Sequence, residues 1–220
     1  MKIYLNNEFF PDENFRKALA WILGISEGDE ITEEMITSTT KLILSNLSIA
    51  NLTGIKHFTS LTILVCRHNQ LTSLDVSHNT ALIELYCYDN QLTSLDVSHN
   101  TALRRLNCSW NQLTSLDVLK NTKLTILVCH RNQLTSLDVS KNTALTHLYC
   151  EDNQLTALDV SNNTALTELY CHRNQLTELD VTENQQLTNF YVNDNVEVYS
   201  SPNLQKELGI IRIPYENILE

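Results

Sequence analysis

The stretch Leu61-Thr62-Ile63-Leu64-Val65-Cys66-Arg67-His68-Asn69-Gln70-Leu71-Thr72-Ser73-Leu74-Asp75-Val76-Ser77-His78-Asn79-Thr80-Ala81 decides the fold. Its pattern starts again at Leu82, Leu103, Leu124, Leu145 and Leu166, and a half unit runs from Leu187 to Asn195. Residues 61–186 are therefore six units of 21, without insertion or deletion. Self-similarity at such a period is the signature of a stacked array.

Each unit holds two related halves. Leu61, Leu64, Cys66 and Asn69 occupy the first, fourth, sixth and ninth places of one, and Leu71, Leu74, Val76 and Asn79 those of the other. Alternate residues of a strand share a face. Leu64 and Cys66 then point inward, with Ile63, Val65 and Arg67 outward. Leu74 and Val76 likewise point inward, with Ser73, Asp75 and Ser77 outward. One unit cannot bury its apolar face alone, but stacked units share a continuous core. Identical positions align as ladders about 4.8 Å apart. One such ladder is Asn69, Asn90, Asn111, Asn132, Asn153, Asn174 and Asn195. Its amides are suited to satisfying backbone groups where the chain turns.

The motif Leu-x-x-Leu-x-Cys-x-x-Asn-x-Leu, followed by Leu-Asp-Val-x-x-Asn, resembles the bacterial leucine-rich-repeat family, in its 21-residue nested (IRREKO-type) class. Phe10-Pro11-Asp12-Glu13-Asn14-Phe15-Arg16-Lys17-Ala18-Leu19 and Leu52-Thr53-Gly54-Ile55 are similar to the N-terminal cap of bacterial surface proteins of this class. The resemblance implies a solenoid and a place at the cell envelope or surface. The second half-unit is short and rich in poor helix formers, so both layers should be sheet-like. The expected fold is α+β, mostly β: a flat two-layered parallel β slab with little helix outside the caps.

Three regions follow: 1–60, a helical cap plus a divergent repeat; 61–195, the repeats; and 196–220, a C-terminal cap. In the first, Lys2–Leu5 reads as a strand. Pro11 and Asp12 open a helix that Gly24 ends, and a second short helix follows Thr32. Leu42, 22 residues before Leu64, marks the divergent repeat. Ser201-Pro202 starts a helix that Gly209 ends, and Ile210–Ile213 reads as a last strand. Caps are required because an open solenoid exposes strand edges. A free last edge would also allow a homo-oligomer.

Composition excludes several classes. A formal net charge of −11 argues against nucleic acid and anionic lipid. No run approaches the roughly 18 apolar residues of a transmembrane segment. The first residues lack the apolar stretch of a signal peptide, so the chain either stays inside the cell or has lost its signal. Phosphate-binding glycine loops, Gly-x-Ser-x-Gly and His-Glu-x-x-His are missing, which argues against an enzyme.

All six cysteines, Cys66, Cys87, Cys108, Cys129, Cys150 and Cys171, occupy one column. In-register strands hold neighbouring Cβ atoms near 4.8 Å, against a preferred ~3.8 Å for a disulfide. An inward column also gives a metal ion no entry. The favoured reading is a small buried hydrophobe where leucine overfills the layer.

Specificity belongs on the varying outward positions of the first half-unit, while the scaffold repeats almost verbatim. Tyr86, Tyr88, Trp110, Tyr149, Tyr170, Tyr191, Arg131 and Arg173 give these positions the composition of a binding patch for a protein or peptide. The competing reading is that tyrosine simply suits sheet surface. His130, Glu151 and His172 share one position on adjacent strands, with His147 near, and could recruit zinc as a cofactor. The two histidines are about 9.6 Å apart at the backbone, so screened surface groups are the favoured case. Asp75, Asp96, Asp117, Asp138, Asp159 and Asp180 form an acidic column on the other layer, favoured as a solvated face. The leading function is a non-catalytic interaction module, with attachment or host contact implied by the resemblance. The alternative is a self-assembling structural or envelope component, with zinc.

Overall fold

A computed structural model describes residues 2–202, Leu204 and the backbone of 211–213. The chain runs β1 (Ile3–Tyr4), α1 (Glu13–Leu23), β2 (Glu30–Ile31), α2 (Glu33–Ser38) and β3 (Lys41–Ile43), then a 3-10 turn at Ile55–His57. The repeats give β4 (Ile63–Val65), β5 (Glu84–Tyr86), β6 (Arg105–Asn107), β7 (Ile126–Val128), β8 (His147–Tyr149) and β9 (Glu168–Tyr170). β10 (Glu178–Asp180), β11 (Asn189–Asn193), β12 (Glu197–Tyr199) and β13 (Ile211–Ile213) complete it. Among the described residues nine strands form one sheet in the order β13-β11-β9-β8-β7-β6-β5-β4-β3. Every pair in it is parallel, and Leu42, Leu64, Leu85, Leu106, Leu127, Leu148, Leu169 and Phe190 lie in register. The protein is a mostly-β solenoid of parallel strands with few helices. Among the described residues no helix lies between 61 and 195.

The inward leucines, valines and cysteines are buried along the whole stack, as the alternation requires. All six cysteines are free and fully buried. Two asparagine ladders bind the turns. Asn90 Oδ1 accepts the Leu71 N–H at 3.0 Å, and its Nδ2 donates to the Cys66 and Cys87 carbonyls, both at 3.0 Å. Asn100, in the second half-unit, donates to the Val76 and Asn79 carbonyls at 3.0 and 2.9 Å. The Leu71 N–H has the Asn90 oxygen as its partner, while each of these carbonyls accepts a second donor as well, so the amides join neighbouring turns and leave no buried backbone group among them unpaired.

The first ladder ends differently from expectation. Asn195 is exposed, and the buried asparagine at this end is Asn193, whose Oδ1 accepts the Arg173 N–H at 2.7 Å in place of the leucine N–H that the repeats offer, while its Nδ2 has no partner. In the repeats a left-handed residue turns the chain just before the asparagine, whereas β11 runs extended for five residues through Asn193. The second layer also differs from a full sheet. Among the described residues its ladder is limited to the Asp75–Asp96 bridge and the β10–β12 pair. In all six units the aspartate Oδ1 accepts the N–H two residues on, at 2.8–3.0 Å. That local turn diverts a donor from the inter-strand ladder.

The N-terminal cap follows its signals. Asp12 Oδ1 accepts the Phe15 N–H at 2.9 Å as the α1 N-cap, and left-handed Gly24 closes the helix. The other oxygen, Asp12 Oδ2, accepts the Ala50 and Asn51 N–H groups at 2.8 and 3.1 Å, tying the cap to the divergent repeat. Thr32 caps α2. At the far end Pro202 and Leu204 are helical, the rest of the proposed helix lies outside the described residues, and β13 supplies the last strand.

Candidate functional site

Four rows of side chains, from the third, fifth, seventh and eighth positions of each unit, cover the outer face of the long sheet and its rim. The strands are only three residues long because the eighth position of each unit turns left-handed. His68, Asp89, Trp110, Arg131, Asp152 and Arg173 have φ of 52–55°. Glycine adopts this conformation most readily, so bulky side chains here carry a backbone cost. The turn lifts those side chains onto the rim of the sheet. There the Arg131 guanidinium lies 3.9 Å from the Trp110 ring centroid. Asp152 sits between two arginines, 3.6 Å from Arg131 Nε and 3.5 Å from Arg173 Nη1.

The fifth position holds the tyrosines. Tyr149 and Tyr170 meet edge-to-face at 4.8 Å, and the Tyr170 and Tyr191 rings are tilted against each other at 4.3 Å, so three rings form one continuous row. The Tyr149 hydroxyl donates to Glu168 Oε2 at 2.5 Å, and its pKa is raised first by desolvation and then by that carboxylate. Tyr86 stands apart, donating to Glu84 Oε2 at 3.0 Å. Tyr88 accepts a hydrogen bond from Arg67 and packs against His68, whose Nδ1 contacts Asp89. The proposed contact residues thus form two groups on the face, one at β4–β5 and one on β8, β9 and β11, joined along the rim by Trp110, Arg131 and Arg173.

The seventh position holds His130, Glu151 and His172, all half-buried. His130 Nδ1 is 3.8 Å from Glu151 Oε1, beyond a hydrogen bond. Burial pushes the Glu151 carboxyl up to about 7 and pulls both histidines below their usual range. His147 belongs to a different row, since its Nδ1 is bound to the Thr146 hydroxyl at 2.8 Å and its Nε2 is 3.7 Å from Glu168. Among the described residues no group of three or more His, Cys, Asp or Glu is arranged to hold a metal ion. The strand spacing that separates the histidines is the physical reason.

Two features escaped the sequence. Trp21 on α1 is 85 % exposed and lies with Ile43 and Leu47 around a cleft of about 390 Å³ at the cap end. Its one signal is position: it falls off the Phe15, Leu19, Ile22 stripe. The left-handed rim had no signal in residue type, because histidine, tryptophan and arginine do not announce such backbone. No helix among the described residues is long and apolar enough to cross a membrane.

A family model described as the Endo-beta-N-acetylglucosaminidase EndoS LRR domain matches residues 10–142, and one described as Leucine Rich repeats (2 copies) matches residues 143–183. Internalin J of Listeria monocytogenes is 46% identical over 71 residues, 32% of this chain and 8% of that protein. A solved structure, the functional domain of InlJ from Listeria monocytogenes, said to include a cysteine ladder, has a TM-score of 0.71 at 39% identity. It covers 90% of this chain and 48% of that one. A leucine-rich-repeat protein of Leptospira interrogans gives a TM-score of 0.68 at 25% identity, over 80% of this chain and 48% of that one. Internalin C2 of Listeria monocytogenes, at 22% identity and a TM-score of 0.82 over 92% of both chains, shares the fold. The chain thus spans about half the length of the InlJ domain and under a tenth of Internalin J. These relatives are leucine-rich-repeat proteins, and no catalytic family is indicated. With the model covering residues 10–142 of 220, the chain belongs to the leucine-rich-repeat family represented by the EndoS LRR domain.

Proposed function

We propose that this chain is a non-catalytic interaction module that presents the outer face of the long sheet, strands β4–β9 and β11, to a protein or peptide partner. One observation carries the reading: the scaffold repeats almost verbatim while the face varies, and the variation builds the continuous Tyr149–Tyr170–Tyr191 stack. Rigid aromatic anchors of this kind dominate the energetics of protein interfaces. Attachment or host contact at the cell surface is the setting that the family likeness suggests. Capture of partners from cell-surface extracts, compared between the intact protein and a Tyr149→Ala, Tyr170→Ala double variant, tests the reading. Loss of the captured partner supports it, and unchanged capture rejects it.

A second reading is self-association through the N-terminal cap. Exposed Trp21, Ile43 and Leu47 favour it, because apolar side chains clustered at one end mark a contact. Light scattering of the intact protein and Trp21→Ser tests this. A protein that stays monomeric at every concentration rejects it.

A further inference from the structure

Arg173 stands at the end of the rim beside an open cleft. Its backbone N–H is committed to Asn193 Oδ1. Its guanidinium comes no nearer than 3.5 Å to Asp152, beyond the ~2.7–2.9 Å of a charge-assisted hydrogen bond. Arg173 Nε is buried and has no hydrogen-bond partner. Asp152 is shared with Arg131, so it does not neutralise Arg173 alone. The cleft that Arg173 helps to line has a volume of about 490 Å³ and is lined also by Gln154, Gln175, Thr177 and Asn195. The backbone N–H groups of Gln154 and Gln175 are anchored to the Leu134 and Leu155 carbonyls, while both residues are exposed. Their amides add neutral donors next to a permanent cation.

We propose that this cleft receives a carboxylate side chain, Asp or Glu, from the partner that docks on the tyrosine face. The planar guanidinium fork matches a carboxylate in bidentate fashion. A phosphate dianion fits less well, because Asp152, 3.5 Å from Arg173, repels a second negative charge more strongly. The volume exceeds what one small ion fills and lies in the range that holds a short piece of chain. The inference rests on the tyrosine-face reading for the partner's protein nature.

The test follows the Arg173 Nε–Hε resonance of the nitrogen-15-labelled protein during titration with a capped Gly-Glu-Gly peptide. The capped Gly-Gln-Gly peptide and inorganic phosphate are the comparison probes. The Glu peptide is expected to shift this resonance, and the Gln peptide to leave it in place. Arg173→Gln is read through neighbouring backbone signals, where the response to the Glu peptide should vanish. Arg173→Lys should weaken it roughly tenfold, since the charge stays but the fork is lost. Gln154→Glu, which leaves the arginine intact, should abolish it by repulsion. Equal shifts from both peptides, an unchanged response in Arg173→Gln, or tighter binding of phosphate than of the Glu peptide overturns the proposal. The Tyr149→Ala, Tyr170→Ala protein should keep its Glu-peptide response. Its loss of partner capture therefore reports on the tyrosine face separately from the cleft.

Discussion

The Tyr170 ring, on β9 of the last full repeat, lies 4.3 Å from the Tyr191 ring on the neighbouring β11 of the half repeat. The same Tyr170 ring meets Tyr149 at 4.8 Å, so it is clamped between neighbours. Such a stack is pre-ordered before any partner arrives, which lowers the entropy lost on binding. Its residues come from positions 21 apart, and only the stacking of repeats brings them together.

The asparagine ladder should dominate stability. Asn132 Oδ1 accepts the Leu113 N–H at 3.0 Å, and Nδ2 donates to the Cys108 and Cys129 carbonyls at 3.1 and 3.0 Å. Asn132→Ala leaves the buried Leu113 N–H unpaired and takes one of two amide donors from each of the Cys108 and Cys129 carbonyls, which keep Asn111 and Asn153; it should cost about 1–3 kcal/mol in urea unfolding. Exposed Asn195→Ala should cost under about 0.5 kcal/mol. Equal costs would show that the ladder is not what holds the turns.

The cysteine column should be inert until the chain unfolds. Burial pushes the Cys66 and Cys108 thiols up to about 12, and the other four are raised too. The thiolate is the reactive form. A thiol reagent should therefore react slowly with the native protein and titrate six groups in denaturant. Cys129→Leu should destabilise by about 1–3 kcal/mol, because the layer has no room for the larger side chain. Fewer than six thiols in denaturant, or a harmless Cys129→Leu, would contradict this account.

Glu151 should make stability depend on pH in an uncommon direction. Its folded pKa, about 7, lies above its ordinary 4.5, so the folded state binds the extra proton between those values. The stabilising contribution of protonated Glu151 is complete below about 4.5 and is lost as pH rises through about 7. Glu151→Gln removes this loss. The variant should gain on the order of 2 kcal/mol over the intact protein between acid and pH about 8. His130 and His172 pull the other way, since burial lowers them, but they are present in both proteins. Parallel stability–pH curves for the two proteins would show that Glu151 is not desolvated.

Gly54 should tolerate no side chain. It has φ of 103°, and an added Cβ would sit 2.3 Å from Phe10 Cδ1 and 2.5 Å from the Phe9 carbonyl oxygen. Gly54→Ala should cost 2 kcal/mol or more, roughly, by forcing both backbone strain and displacement of the cap. Thermal unfolding measures it, and an unchanged midpoint would mean that Phe10 can move aside freely.

The fold was legible because the repeat states it six times. Period, inward leucines, the cysteine column and the Asp12 and Gly24 caps were all readable from residue type and spacing. The second layer was harder, since aspartate both suits an exposed strand position and competes for the backbone N–H two residues on. Asn193 could not be told from Asn195, because the choice depends on whether the chain turns left-handed at Asp194. The face was legible as columns, but not its subdivision. That Tyr149, Tyr170 and Tyr191 stack, while His147 turns to Thr146, depends on rotamers that spacing does not fix.

The most direct test of the central claim compares the two layers with one ligand. A peptide ligand is selected on the intact protein from a displayed library, and its affinity is measured on two sets of variants. One set carries Tyr149→Ala and Tyr170→Ala on the long sheet, and the other Asp96→Ala and Asp138→Ala on the second layer. The account predicts that affinity falls by about tenfold or more in the first set and stays within about twofold in the second. A ligand that survives the tyrosine variants but is lost with the aspartates would contradict it.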